Sequence, residues 1–258
     1  MKKILIILAV IAAFAIFFII SSSKTSEEQE IAGETFQSLC FYQENNLESG
    51  FQDRTWLRVE NTTNQTGILS VTGEYVYLPA EKDSKRGKFI GSVSLNPEDQ
   101  TYLKTNTLMT AVAEGMTTAE EFYFEFNPIE AKIGFGEMVD RGDGVYVYAN
   151  KENINYSQIL PSISCDELTE KITVEKYVRE NIQTLFSEEP VLGGTWYVVN
   201  LVIDSQANSG IVTYEDGHIQ NITSFVYEYS DQGVVILSSE NITPELEVSE
   251  EEKTLDEN

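Results

Sequence analysis

The chain is short of the residues that do most acid–base and metal chemistry. Its 258 residues include two Cys and one His, His218, so the donors of an ordinary zinc site are missing, as are most parts of a His-based catalytic centre. Positive charge is scarce as well. Seventeen Lys and Arg stand against 42 Asp and Glu, a formal net charge of −25, and such a polyanion repels a phosphate backbone. No nucleic-acid partner, metal or cofactor is expected. Paired carboxylates could hydrolyse glycosides without His or Cys, but an acidic chain holds dozens of such pairs and the sequence does not give their separation. What is present is ordinary globular material, 41% apolar and 11% aromatic, which excludes a wholly disordered chain.

The amino terminus speaks for a compartment. After Lys2 and Lys3, residues 4–20 are apolar at every position and then break into Ser21-Ser22-Ser23-Lys24. A cleaved signal has an apolar core of about 7–15 residues, whereas a spanning helix needs about 17–25, so the length favours a retained membrane anchor over a signal cut near Ser21 and Ser23. Lys2 and Lys3 inside place all that follows outside the cytoplasm, secreted if the leader is cut. The two cysteines agree. In an oxidising compartment Cys40 and Cys165 can pair, closing a loop that would stabilise the fold by about 4–5 kcal/mol on the chain-entropy model.

Beyond residue 20 the pattern predicts a mainly β protein. Residues 21–35 read as a polar, acidic tether and residues 241–258 as an acidic disordered tail. Between them, residues 36–166 predict a small antiparallel eight-stranded barrel or sandwich, and residues 167–240 a small α+β module of one helix and a four-stranded antiparallel meander. The eight expected strands are Ser38–Gln43, Thr55–Glu60, Gly67–Leu78, Lys88–Ser94, Glu121–Phe126, Lys132–Glu137, Val145–Ala149 and Gln158–Ser164. Asn96–Met116 reads as a helical insertion, because Asn96 resembles an N-cap and Pro97 suits the first helical position. In the module, Val174, Tyr177, Val178, Ile182, Leu185 and Phe186 recur as one face of a helix over Asp166–Phe186, which Pro190 ends. Strands are expected at Thr195–Ile203, Gly210–Glu215, His218–Tyr229 and Gly233–Ser238.

Two local clusters could receive a ligand. Lys82, Lys85, Arg86 and Lys88 crowd into one loop, the one place in so acidic a chain where an anionic group could be held, though a solvated charged hairpin accounts for them as well. Glu137, Asp140, Arg141 and Asp143 surround a glycine-rich turn containing the integrin-recognition triplet Arg141-Gly142-Asp143. Their carboxylates could offer oxygens to a hard cation but lack the spacing of an EF-hand loop, and a solvated hairpin with Gly142 and Gly144 at positive φ is the simpler account. Aromatic residues such as Tyr75, Tyr77, Phe122 and Tyr148 in the alternating strands suit a core, or a groove for a glycan. Five Asn-x-Ser/Thr sites begin at Asn61, Asn64, Asn155, Asn221 and Asn241.

The run Val191–Val199 (VLGGTWYVV), followed by Gly210–Ile219 (GIVTYEDGHI), resembles a module of uncharacterised membrane-anchored envelope proteins from small-genome bacterial lineages. Pro79–Gly87 (PAEKDSKRG) and Ile133–Tyr148 (IGFGEMVDRGDGVYVY) look like the rest of that architecture. The resemblance implies an envelope location and carries no catalytic residues across. A looser likeness is to the membrane-bound inhibitors of C-type lysozyme, small disulfide-closed barrels, from which this chain departs in lacking their Ser-Gly-x-x-Tyr segment and a lipid-carrying Cys after the leader. The expectation is a non-catalytic binding or structural protein of the cell envelope, with an envelope protein or glycan as partner. The alternatives are an acidic scavenger of cationic proteins such as lysozyme and a carboxylate-based carbohydrate-active enzyme.

Overall fold

The structure, a computed structural model, describes residues 37–47, 51–63, 69–80, 84–186 and 189–244. The apolar run 4–20, the stretch 21–35, Asn64, Lys82 and residues 245–258 lie outside them. No helix among the described residues is long and apolar enough to cross a membrane.

Eleven strands come first: β1 (Gln37–Asn46), β2 (Gln52–Thr63), β3 (Leu69–Leu78), β4 (Lys85–Leu95), β5 (Leu103–Ala113), β6 (Met116–Phe122), β7 (Phe124–Phe126), β8 (Glu130–Phe135), β9 (Met138–Asp140), β10 (Val145–Tyr148) and β11 (Asn155–Ile163). Eight of them close on themselves in the order β4-β3-β2-β1-β11-β8-β7-β5, with β5 returning to β4, as an antiparallel barrel. Closure leaves no edge on the ring. The side-chain period of two sends alternate residues inward, where Phe41, Leu57, Val71, Phe89, Met109, Phe122, Phe124 and Phe126 form one buried cluster. Ring centroids of Phe89 and Phe124 lie 5.1 Å apart, and those of Phe124 and Phe126 5.5 Å, so aromatic rings fill the barrel.

Eight barrel strands were expected, and their membership differs. Asn96–Met116 is not a helix: after one turn it becomes β5, a barrel strand, while Val145–Ala149 supplies β10, which lies outside the ring. Asn96 does behave as a cap, its Oδ1 accepting from the amides of Glu98 at 3.0 Å and Asp99 at 3.4 Å, but Asn-Pro opens a turn as readily as a helix. The strand signal was carried by threonine. Thr105 and Thr107 point inward and are buried; the Thr105 hydroxyl donates to the Phe124 carbonyl at 2.8 Å, and Thr107 donates to the Phe122 carbonyl. A β-branched residue that finds a carbonyl can occupy an inward position that an apolar-only pattern leaves blank.

Next comes the helix α1 (Cys165–Leu185), capped by Ser164, whose hydroxyl accepts from the Glu167 amide at 3.0 Å. It is followed by the meander β12 (Tyr197–Asp204), β13 (Ser209–Glu215), β14 (Gln220–Ser230) and β15 (Gly233–Asn241), four antiparallel strands in sequence order. Val174, Val178 and Ile182 of α1 bury against Trp196, Leu201, Val212, Tyr214, Phe225 and Tyr227 of the sheet, each aliphatic side chain contributing about 1.5–3 kcal/mol. Asn241, expected to begin a tail, instead ends β15, and the Ile242 amide still donates to the Ile222 carbonyl at 2.8 Å.

One helix serves both regions. Leu168, near its start, buries with Cys40, Trp56 and Val76 on the outside of the barrel. The Cys40–Cys165 disulfide ties β1 to the first residue of α1, with Cα atoms 5.2 Å apart, where the first and last barrel strands pair as Cys40↔Ile163. Arg54 Nη1 meets Glu175 Oε2 at 2.6 Å, and Arg58 donates to the Thr169 hydroxyl at 2.8 Å.

Candidate functional site

The barrel wall opens where β6 and β7 take different neighbours. Thr107↔Phe122 and Leu103↔Phe126 keep both β6 and β7 on β5, but only β7 also pairs with β8, through Phe124↔Ile133. The Gly134 amide donates to the Tyr123 carbonyl at 2.9 Å, and beyond it β6 takes β10 as a parallel neighbour instead, Val145↔Ala119. A cleft of about 150 Å³ opens where the two strands part, and Tyr75, Lys85, Glu120, Glu121, Phe122 and Tyr148 are among its lining. Two glycines keep it narrow. A Cβ on Gly134 would come within 2.9 Å of the Tyr123 carbonyl oxygen, and one on Gly136 within 3.0 Å of the Tyr148 ring.

Each of the two carboxylates lining the cleft, Glu120 and Glu121, is paired with a lysine. Lys85 forms an ion pair with Glu120, and Lys151 Nζ lies 2.6 Å from Glu121 Oε1. Glu121 also accepts from the Tyr148 amide at 3.0 Å and from the Tyr123 hydroxyl at 3.1 Å, while Lys151 donates to the Tyr123 oxygen at 2.8 Å. Burial works to raise the Glu121 carboxyl, but these hydrogen bonds outweigh it and hold the group below the usual carboxylate range. The bond to Glu121, then that to Tyr123, raises Lys151. Burial pushes the Tyr148 hydroxyl up to about 12, and it donates to the Gly134 carbonyl at 2.9 Å.

Tyr75 differs from its neighbours. Its ring packs 4.8 Å from that of Phe122, and it lines the cleft, where its hydroxyl makes no hydrogen bond to the described residues. Burial raises this phenol, so it stays a neutral donor and acceptor.

The basic cluster is not one surface. Alternation along β4 turns Lys85 toward the cleft and leaves Arg86 and Lys88 exposed on the outer face, with Lys88 opposite Glu74. Lys82 lies outside the described residues. The turn cluster satisfies itself: Asp140 Oδ1 accepts from the amides of Gly142 at 2.7 Å and Gly144 at 3.3 Å, and Arg141 Nη2 bonds Asp143 Oδ2 at 2.7 Å. The Arg and the Asp of the Arg-Gly-Asp triplet are thus engaged with each other. Glu137 receives Ala149 through its backbone carbonyl, and no group of three metal-donor side chains occurs among the described residues. His218 is exposed beside the Asp216 turn, and the sequon residue Asn221 is buried. Glu120 and Glu121 were not singled out from the sequence. The available signal was two adjacent carboxylates entering an aromatic strand, Glu120-Glu121-Phe122-Tyr123-Phe124.

Fold and site together define an eight-stranded antiparallel barrel with a side cleft, joined through one helix to a four-stranded sheet. Comparison with protein-family models, curated proteins and solved structures returns no match.

Proposed function

We propose that the chain is a non-catalytic binding protein, held outside the cytoplasm by residues 4–20, and that the cleft between β6 and β8 takes a small, neutral, polar ligand such as one unit of an envelope glycan. The observation that carries this is Tyr75, which lines the cleft with no hydrogen bond made by its hydroxyl to the described residues, beside Lys85 and Glu120, which offer a donor and an acceptor. A phenol that opens onto the cleft can both donate to and accept from a ligand hydroxyl or amide. Because both carboxylates are already paired with lysines, a neutral ligand fits best. Pockets for drug-sized ligands run about 300–1,000 Å³, so a cleft of about 150 Å³ suits one ring or one side group. The Cys40–Cys165 bond suits an oxidising compartment, as do the apolar leader and the resemblance to envelope proteins.

Saturation-transfer NMR on the full-length chain with N-acetylglucosamine and its short oligomers tests the cleft. Signal is expected from one face of the sugar and should fall in Tyr75→Phe, which keeps the ring and removes only the hydroxyl; no signal, or one equal in the variant, would end the proposal. Intact mass and thiol titration of protein recovered from membranes test the placement. Full-length protein found soluble with both thiols reduced would overturn it.

A further inference from the structure

Another concave surface lies on the four-stranded sheet, on the side away from α1. There Ile211, Val226, Val235 and Leu237 are 43%, 42%, 57% and 59% exposed. Register puts Val202↔Ile211↔Ser224 in one row across the strands, Ser209↔Val226↔Ser238 in the next and Glu228↔Val235 beyond it, with Leu237 at the irregularity in the β14–β15 pairing. The serines are small and leave a hollow of about 620 Å³ over Ile211 and Val226, with Val235 and Leu237 beyond its lining. The rim carries charge of one sign. Residues 189–244 contain seven Asp and Glu and no Lys or Arg, and Asp204, Glu228 and Glu240 are exposed around the patch. Every ion pair among the described residues lies on the barrel or α1, so none neutralises this rim. The chain then continues from Pro244, past the end of β15, with seven more acidic residues and one Lys.

An apolar floor inside a carboxylate rim selects its occupant by charge. Two copies of such a face would repel each other, as would an anionic lipid surface. We infer that this face docks a cationic amphipathic helix of a partner protein, its apolar stripe on Ile211, Val226, Val235 and Leu237 and its flanking Lys and Arg against Asp204, Glu228 and Glu240. Four strands about 4.8 Å apart give a floor wide enough for one helix of about 10 Å diameter, so the sheet would be covered on both sides. This surface is independent of the Tyr75 cleft, and failure of either proposal leaves the other standing.

Fluorescence anisotropy of a labelled Leu/Lys amphipathic peptide of about 18 residues, titrated with the full-length chain in zwitterionic nanodiscs, tests the inference. Binding should be about tenfold tighter than for a scrambled peptide of the same composition, and should weaken at about 0.5 M salt. Val235→Ser with Leu237→Ser removes exposed apolar atoms without touching the core, and should lower affinity about tenfold; Glu228→Lys with Glu240→Lys should do likewise. Glu98→Lys with Glu152→Lys makes the same change in net charge on the exposed barrel surface, and should leave affinity within about twofold. Equal binding of the scrambled peptide, or an equal loss in the barrel variant, would reduce the effect to unspecific charge and overturn the proposal. So would unchanged binding in both face variants, or a dimer of the chain that excludes the peptide.

Discussion

The barrel and the sheet are both antiparallel, and they dispose of their faces differently. The barrel turns one face onto itself, so that its inward residues from Phe41 to Leu160 form one buried cluster. The sheet turns one face to α1 and leaves the other bare, with Ile211, Val226, Val235 and Leu237 exposed. Closure satisfies a curved sheet without outside help, whereas a four-stranded meander needs a cover for each apolar face and has been given one. Charge divides the same way. Barrel carboxylates such as Glu120, Glu121 and Glu125 each have a lysine, while residues 189–244 have none to offer. The barrel is built to be self-sufficient, and the sheet is built to depend on something else, beginning with the helix that ties it to the barrel.

The sharpest way to break that dependence is to cut the tie. Replacing Cys40 and Cys165 by Ala frees a loop spanning 125 positions and should cost about 4–5 kcal/mol, read from urea unfolding. If the sheet leans on the barrel through α1, the single transition should also divide into two, the sheet and helix melting first. One transition at an unchanged midpoint would mean that the disulfide contributes nothing to the coupling.

The ion pair at the same junction comes next. Arg54 and Glu175 side chains are 8% and 14% exposed, so removing one partner strands a charge away from water. Glu175→Ala should cost about 3–5 kcal/mol, whereas Arg54→Met combined with Glu175→Leu should be close to neutral. Equal losses in the single and double variants would show that the pair itself, and not the stranded charge, holds barrel and helix together.

Much of this contrast was legible in the sequence. The helix, the meander and most barrel strands follow from alternation and from the helical spacing of Val174, Val178 and Ile182. Three things were not legible. The strand β5 hid behind Asn96-Pro97 because its inward row is Thr105, Thr107, Met109 and Ala111, two of them polar by composition and apolar in effect once bonded to carbonyls. The cleft was hidden because it depends on where β6 leaves β8, a change of neighbour that strand patterning does not encode. The division of the basic cluster was hidden because a run of cations in sequence becomes two faces in a strand. The threonines can be tested directly. Thr105→Val and Thr107→Val should each cost about 1 kcal/mol for the lost hydrogen bond, while the outward Thr110→Val should stay within about 0.5 kcal/mol. Equal costs at all three positions would show that burial does not set the inward row apart.

The smallest expected effect bears on whether the cleft belongs to the barrel or to the β9–β10 hairpin laid beside it. Glu121 ties the Tyr148 amide of β10 to β6, with Lys151 as its counter-charge. The Glu121 carboxyl is held low, so its contribution is present above its unfolded value and is lost as pH falls through the lower folded one. Lys151 is raised, so its contribution is complete below the ordinary lysine value and is lost only as pH rises through the folded one. Both are therefore in place across neutral pH. Protection of the Tyr148 amide against hydrogen exchange should fall below the ordinary carboxylate range while that of Phe124, inside the ring, holds. Because the Lys151 side chain is 54% exposed, Lys151→Met should cost only about 0.2–1 kcal/mol, and should loosen Tyr148 without moving Phe124. If both amides lose protection together, hairpin and ring open as one unit, and the cleft is a fixed part of the barrel wall rather than a seam between two separately stable pieces.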